Sequence, residues 1–169
     1  MSKQPEKNYQ KILEDFYNLY PKFEDGRIDY SHTDSALVVD IVIEYKDEIL
    51  ILKRSDKVNT YKNFWMVPAG YMDQLIPVEE QVKKELKEET GIEGINIENI
   101  KIGEIIKKHD PTIPKTWYII PVLVTLKHKP EIILDWEHIE YKWVRYENIK
   151  NYKTVPGLSG ILKRILDNK

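Results

Sequence analysis

The sequence predicts an α+β fold: a mixed central β-sheet held between helices in α/β/α layers, with an extra helix at the N-terminus. Three observations carry that expectation. Most apolar residues fall in strand-length runs, while residues 77–90 show helical periodicity. Strands stand before and after that helix, without the regular strand–helix alternation of a parallel sheet. At 169 residues the chain suits one well-packed domain and is short for two. The expected division is residues 1–34 as an N-terminal helix with its connecting loop, and residues 35–169 as the main domain.

Residues 6–20 place Tyr9, Ile12, Leu13, Phe16, Tyr17 and Tyr20 at steps of three and four, an amphipathic helix that Pro21 closes. Its aromatic stripe would dock on the domain or on a second subunit, so a homodimer is one expectation. Residues 23–33 are polar and read as a loop. Residues 35–45 alternate, with Leu37, Val39, Ile41 and Ile43 on one face and Val38, Asp40 and Val42 on the other. Lys46 and Asp47 turn this strand into residues 48–54, a hairpin. After a polar loop, residues 65–71 read as a short strand entering a turn. Further strands are expected over 95–108 (interrupted), 117–127 and 140–145, and a C-terminal helix over 157–167. Pro121 predicts that the middle strand is an edge or carries a bulge.

Composition removes several classes of function. A net charge of −2, with Lys and Glu interspersed, gives no basic field for nucleic acid or anionic lipid. The absence of cysteine excludes disulfides, thiolate catalysis and cysteine-ligated zinc. The near-apolar run over 117–126 has about half the length of a bilayer-spanning helix. The first ten residues, MSKQPEKNYQ, have no apolar signal core. These features predict a cytoplasmic protein with neither nucleic acid nor membrane as partner.

The helix over 77–90 contains the chemistry. Pro77 suits its start and Gly91 the position just beyond its end. At about 100° per residue with Val78 at zero, Val82 lies near 40° and Leu86 near 80°, which marks the buried stripe. On the same scale Glu89 falls at about 20°, inside the stripe, with Glu85 at about 340° and Glu88 at about 280°. A carboxylate there loses hydration and requires a cation or several N–H donors. Two readings follow: a hard divalent cation shared by the three glutamates, magnesium being the usual intracellular choice, or a buried ion pair with Lys53 or Arg54. Gly70, just before the helix, lets backbone come close to the same spot.

Gly70 followed by Lys84-Glu85-Leu86-Lys87-Glu88-Glu89-Thr90-Gly91-Ile92 resembles the signature of the Nudix hydrolases. That signature is glycine, five residues, glutamate, seven residues, then Arg-Glu-apolar-x-Glu-Glu-x-Gly-apolar. The spacing from Gly70 to Gly91 agrees without insertion, and the likeness extends over about residues 35–150. Two positions depart: Ile76 stands where the signature has glutamate and Lys84 where it has arginine. In the family these two form a charged pair that braces the loop and helix.

The resemblance implies a Nudix-type sandwich over residues 35–169 and a Mg²⁺ or Mn²⁺ site. Glu85 and Glu89 would be ligands, Glu88 a ligand or the group that orients water, and the Ala69 carbonyl a further ligand. The three glutamates would be the catalytic set. An additional acid outside the signature is expected from residues 135–140, where Glu137 is favoured over Glu140. Lys53 and Arg54 end a strand aimed at the site and would meet phosphate oxygens or cap the sheet edge. Gly70 and Tyr71 would line the pocket, and Trp65, Trp117 and Tyr118 are candidates to stack a base. Trp136 and Trp143 read as core, and His109-Asp110 as a turn that could also meet phosphate.

The implied activity is metal-dependent hydrolysis of a phosphoanhydride in a nucleoside diphosphate linked to another group. The substrate is then a small nucleotide, an ADP-sugar or a nucleoside triphosphate; Pro68-Ala69-Gly70 is similar to ADP-ribose-hydrolysing members. The alternative, motivated by Ile76 and Lys84, is a nucleotide-binding or regulatory module with weakened turnover.

Overall fold

The computed structural model describes residues 6–169, with side chains from Tyr9 onward; residues 1–5 of the expected N-terminal unit lie outside the described residues. Among the described residues three α-helices and eight strands follow one another: α1 (Glu6–Leu19), β1 (Ser35–Tyr45), β2 (Glu48–Arg54), β3 (Trp65–Met66), β4 (Ala69–Tyr71), α2 (Val78–Thr90), β5 (Ile97–Ile102), β6 (Ile106–Asp110), β7 (Lys115–Leu126), β8 (His138–Arg145) and α3 (Leu158–Asp167). No described helix is long and apolar enough to cross a membrane.

All eight strands join one mixed sheet. β1 and β7 run parallel through its centre, and the remaining pairings are antiparallel. The hairpin forms where expected, with Lys46 in the left-handed region at its turn. Beyond the turn β1 leaves β2 and takes β4 as its neighbour over Val38 to Asp40, while β2 continues between β3 and β8. That exchange of partners brings Ala69 and Gly70 beside the middle of β1.

Strand alternation fills both faces of the sheet. Leu37, Val39, Ile41 and Ile43 join a core with α1 and α2, whereas Val42, Ile51, Leu123 and α3 make a second core on the other side. The α/β/α layering follows directly. Val82 and Leu86 of α2 are fully buried, each contributing about 2 kcal/mol of apolar transfer. Gly91 ends α2 in the left-handed conformation, its N–H donating to the Lys87 carbonyl.

Two expectations need correction. β7 is a central strand, so Pro121 sits on no edge, and its pairing with β1 runs through Pro121 without a bulge. The Pro121 carbonyl accepts from Gly103 N–H at 2.8 Å, so the proline nitrogen faces the same side, where β5 has ended and β6 not yet begun. The missing donor therefore falls opposite a break in the partner strands. Trp136 is not core: it is 62% exposed, whereas Trp143 does pack against the first core.

The α1 stripe settles on the chain's own core. Tyr9 and Leu13 are buried, and Phe16 packs edge-on against Tyr118 of β7. The surface that the sequence offered to a second subunit is thus covered within the chain, and residues from both expected units share one core.

Candidate functional site

A cavity of about 480 Å³ opens between α2, β4, the centre of β1 and the start of α3. Gly70, Tyr71, Arg54, Glu85, Glu88, Glu89 and Glu137 all line it. A more open cleft of about 510 Å³ lies elsewhere, near Glu44 and Lys101. Glu44 is ion-paired with Lys169 there, and none of the candidate site residues reaches it.

The turn of α2 sets the acid cluster. Glu89 lies in the apolar stripe, only 5% exposed; its Oε2 accepts from Ala69 N–H at 3.3 Å. Glu85, one turn earlier, accepts from Gln81 Nε2 at 2.6 Å. Glu88 is exposed at the cavity wall. A methyl group added at Gly70 would land inside the Glu85 carboxylate, so a side chain there would displace Glu85 from this position.

Hydrogen-bond alternation decides where the Ala69 carbonyl points. Met72 N–H donates to Leu37 O and Ile41 N–H donates to Pro68 O. Even-numbered residues here therefore face β1, and Ala69 turns both its N–H and its C=O toward α2.

The acids raise one another's pKa. Burial above all, opposed by the Gln81 bond and reinforced by Glu88, pushes the Glu85 carboxyl up to about 7. Burial, then the charges of Glu85 and Glu137, lifts Glu89 well above the ordinary range. Glu137 is raised by burial and by Asp135, with Arg54 pulling the other way. Arg54 is lowered by burial but drawn up by Glu137 and Glu89. A cluster of this kind lacks positive charge.

Among the described residues no three carboxylates or imidazoles stand close enough to form a finished cation cage. The donor set nevertheless suits a hard divalent ion, being all oxygen, acid-rich and gathered where a glycine clears space. To hold an ion, Glu85 would exchange its Gln81 contact for the cation. The rival reading from sequence, an ion pair with Lys53 or Arg54, is not formed among the described residues: Lys53 pairs with Glu140, and Arg54 Nε donates to the Thr60 carbonyl.

Lys53 is the site candidate that the structure places elsewhere. Its Nζ lies 3.8 Å from Glu140 and over the Trp65 ring. Strand alternation is the cause: Lys53 continues the face of Ile49 and Ile51, which belongs to the second core, and Arg54 takes the opposite face with Leu50 and Leu52. Glu140 pairs with Lys53 outside the cavity, while Glu137 lines it, its backbone carbonyl held by Ser55 N–H at 2.7 Å.

Trp65 is buried in the second core and Tyr118 faces α1. Of the stacking candidates only Trp117 reaches the cavity, with its ring centroid 6.1 Å from that of Tyr71. Asp110 organises its turn, accepting from Tyr61 Oη at 2.7 Å and from Thr112 N–H at 2.9 Å. These bonds, working against burial, hold it down at about 2.

Sequence reasoning did not single out Gln81, which orients Glu85, or Asp40, a carboxylate on the cavity floor that burial raises to about 7 against the pull of Lys108. Asp40 lies on the face of β1 opposite the first core, and a charged residue in the middle of a largely apolar strand was the available signal.

A family profile described as the NUDIX domain matches residues 33–165. A stretch of 57 residues is 42% identical to part of the ADP-ribose pyrophosphatase of Methanocaldococcus jannaschii, covering 34% of this chain and only 32% of that protein. The RNA pyrophosphohydrolase of Campylobacter jejuni subsp. doylei is 29% identical over 132 residues, 72% of this chain and 79% of its own length. In structure, the NUDIX domain of Shewanella oneidensis NrtR, solved with ADP ribose, superposes with a TM-score of 0.67 at 14% identity, covering 87% of this chain and 99% of that one. At that identity the likeness is one of fold.

Proposed function

The chain belongs to the NUDIX family, and we propose that it is a Mg²⁺- or Mn²⁺-dependent pyrophosphohydrolase acting on a nucleoside diphosphate linked to a second group, of the ADP-ribose type. One observation carries this reading: Glu85 and Glu89 converge on Gly70 and Ala69 in a cavity large enough for a nucleotide. The similarity to the Methanocaldococcus ADP-ribose pyrophosphatase supports the substrate class.

Glu85, Glu89 and the Ala69 carbonyl would hold the cation, with Glu88 and Glu137 closing from the exposed side. When bound, the cation supplies neutralisation of phosphate charge and a more acidic water. Arg54, which lines the cavity together with the acids, would meet phosphate oxygens. Glu88, the most exposed of the three, would accept a proton from water entering the cavity. Tyr71 and Trp117 give a planar group one aromatic wall.

The test is a panel of ADP-ribose, other ADP-sugars and nucleoside triphosphates incubated with Mg²⁺ or Mn²⁺, with nucleotide products separated by chromatography. Release of AMP from ADP-ribose, reduced at least about a hundredfold by Glu89→Gln, is expected. Silence toward the whole panel, or unchanged turnover in that variant, would overturn the assignment. The module with weakened turnover, suggested by Ile76 and Lys84, predicts instead calorimetric nucleotide binding without product.

A further inference from the structure

Residues 27–30 form a strap across the exit of β4. The Ile28 N–H donates to the Asp73 carbonyl at 2.8 Å, and the Tyr30 hydroxyl donates to the Met72 carbonyl at 2.9 Å. The Tyr30 ring stacks on Tyr71, with centroids 5.3 Å apart and planes 22° from parallel. Arg27 Nη1 lies 3.4 Å from Asp73 Oδ2. Three consecutive residues after Gly70 are thus each held by the strap.

The strap is itself anchored. Asp25 accepts from Arg27 Nε at 2.7 Å, Asp29 N–H donates to Pro21 O at 2.8 Å, and Lys115 Nζ donates to Tyr30 O. All of residues 27–30 precede the NUDIX match, which begins at residue 33.

Asp73 explains why an arginine is needed. It is 9% exposed and lines the cavity, and its Oδ1 has no hydrogen-bond partner among the described residues. A buried carboxylate so placed demands a nearby cation. Neither of the two departures from the signature serves: Ile76 carries no charge, and Lys84 attracts Asp73 without pairing with it. Arg27 fills that place from outside the loop.

We propose that Arg27 is a positioning residue for the acid site, acting through Asp73 to fix the backbone of β4 on which Glu85 and the Ala69 carbonyl depend. β4 has only three residues and a single strand neighbour, β1. Little else in the sheet holds its exit, and a ligand set tolerates only small displacements. The inference rests on the metal-dependent reading above.

The test measures Mn²⁺ affinity by electron paramagnetic resonance on the full-length protein, with kcat, KM and Tm, for Arg27→Ala, Asp73→Asn, their combination, and Arg27→Lys. Arg27→Ala should weaken Mn²⁺ binding and lower kcat by about tenfold or more. KM should change little, and the combined variant should be no worse than Arg27→Ala alone. Arg27→Lys should recover part of the loss. Several results would overturn the proposal: unchanged Mn²⁺ affinity, fully additive losses, a rise in KM at constant kcat (direct substrate contact), or a fall in Tm alone (a structural role). No Mn²⁺ binding by the unaltered protein would remove the proposed function itself and this inference with it, an outcome distinct from all of these.

Discussion

Replacing Glu85 by glutamine should stabilise the metal-free protein at alkaline pH while abolishing its response to metal. The Glu85 carboxyl is raised from 4.5 to about 7, chiefly by burial. In the folded state the proton is therefore held more tightly than in the unfolded chain. Below pH 4.5 the carboxyl is protonated in both states and costs nothing. As pH rises from there to about 7 the unfolded chain ionises first and stability is lost; above 7 the full penalty is present. At 1.36 kcal/mol per pH unit that penalty is about 3 kcal/mol, and partial solvent screening reduces it to about 2 kcal/mol. For a domain of this size it corresponds to roughly 4–8 °C in Tm. Glutamine keeps the oxygen that accepts from Gln81 and removes the charge. Thermal unfolding in chelator should then show the variant more stable by that margin at pH 8 and equal to the parent at pH 4. With millimolar Mg²⁺ or Mn²⁺ the parent should gain stability and the variant should not. A variant no more stable at pH 8, or equally stabilised at both pH values, would refute the electrostatic argument.

Other perturbations separate the parts of the account. Gly70→Ala should cut turnover at least about tenfold, because the new methyl displaces Glu85; steady-state kinetics at saturating metal checks it. Arg54→Ala should lower kcat/KM by more than about tenfold, as loss of a charged phosphate contact does, whereas Lys53→Ala should leave it within about twofold, its ammonium being held by Glu140 outside the cavity. Leu13→Ala, at the buried face of α1, should destabilise the fold by about 2–5 kcal/mol in urea unfolding, showing that residues before the NUDIX match belong to the same cooperative unit.

Helical phase alone showed that Glu89 points inward, because α2 is regular and its apolar neighbours mark the buried side. The layer order was legible for a similar reason: both faces of β1 carry apolar residues, so the sheet had to be covered twice. What escaped was non-local. The segment with Arg27, Ile28 and Tyr30 is polar and aperiodic, and its partners lie more than 40 residues away at Met72 and Asp73. Alternation along β2 sends Lys53 and Arg54 to opposite faces, but which face meets the acids appears only once the sheet is assembled, and Pro121 was misplaced because the break belongs to β5 and β6. Trp136 was assigned to the core on residue type, though it sits in a loop with no strand to turn it inward.

The central claim is that Glu85, Glu89 and the Ala69 carbonyl share one divalent ion. Anomalous scattering from a manganese-saturated crystal tests it most directly. A peak bounded by those two carboxylates and that carbonyl is the predicted result; a clean map there, or manganese bound only at other acids, would contradict it.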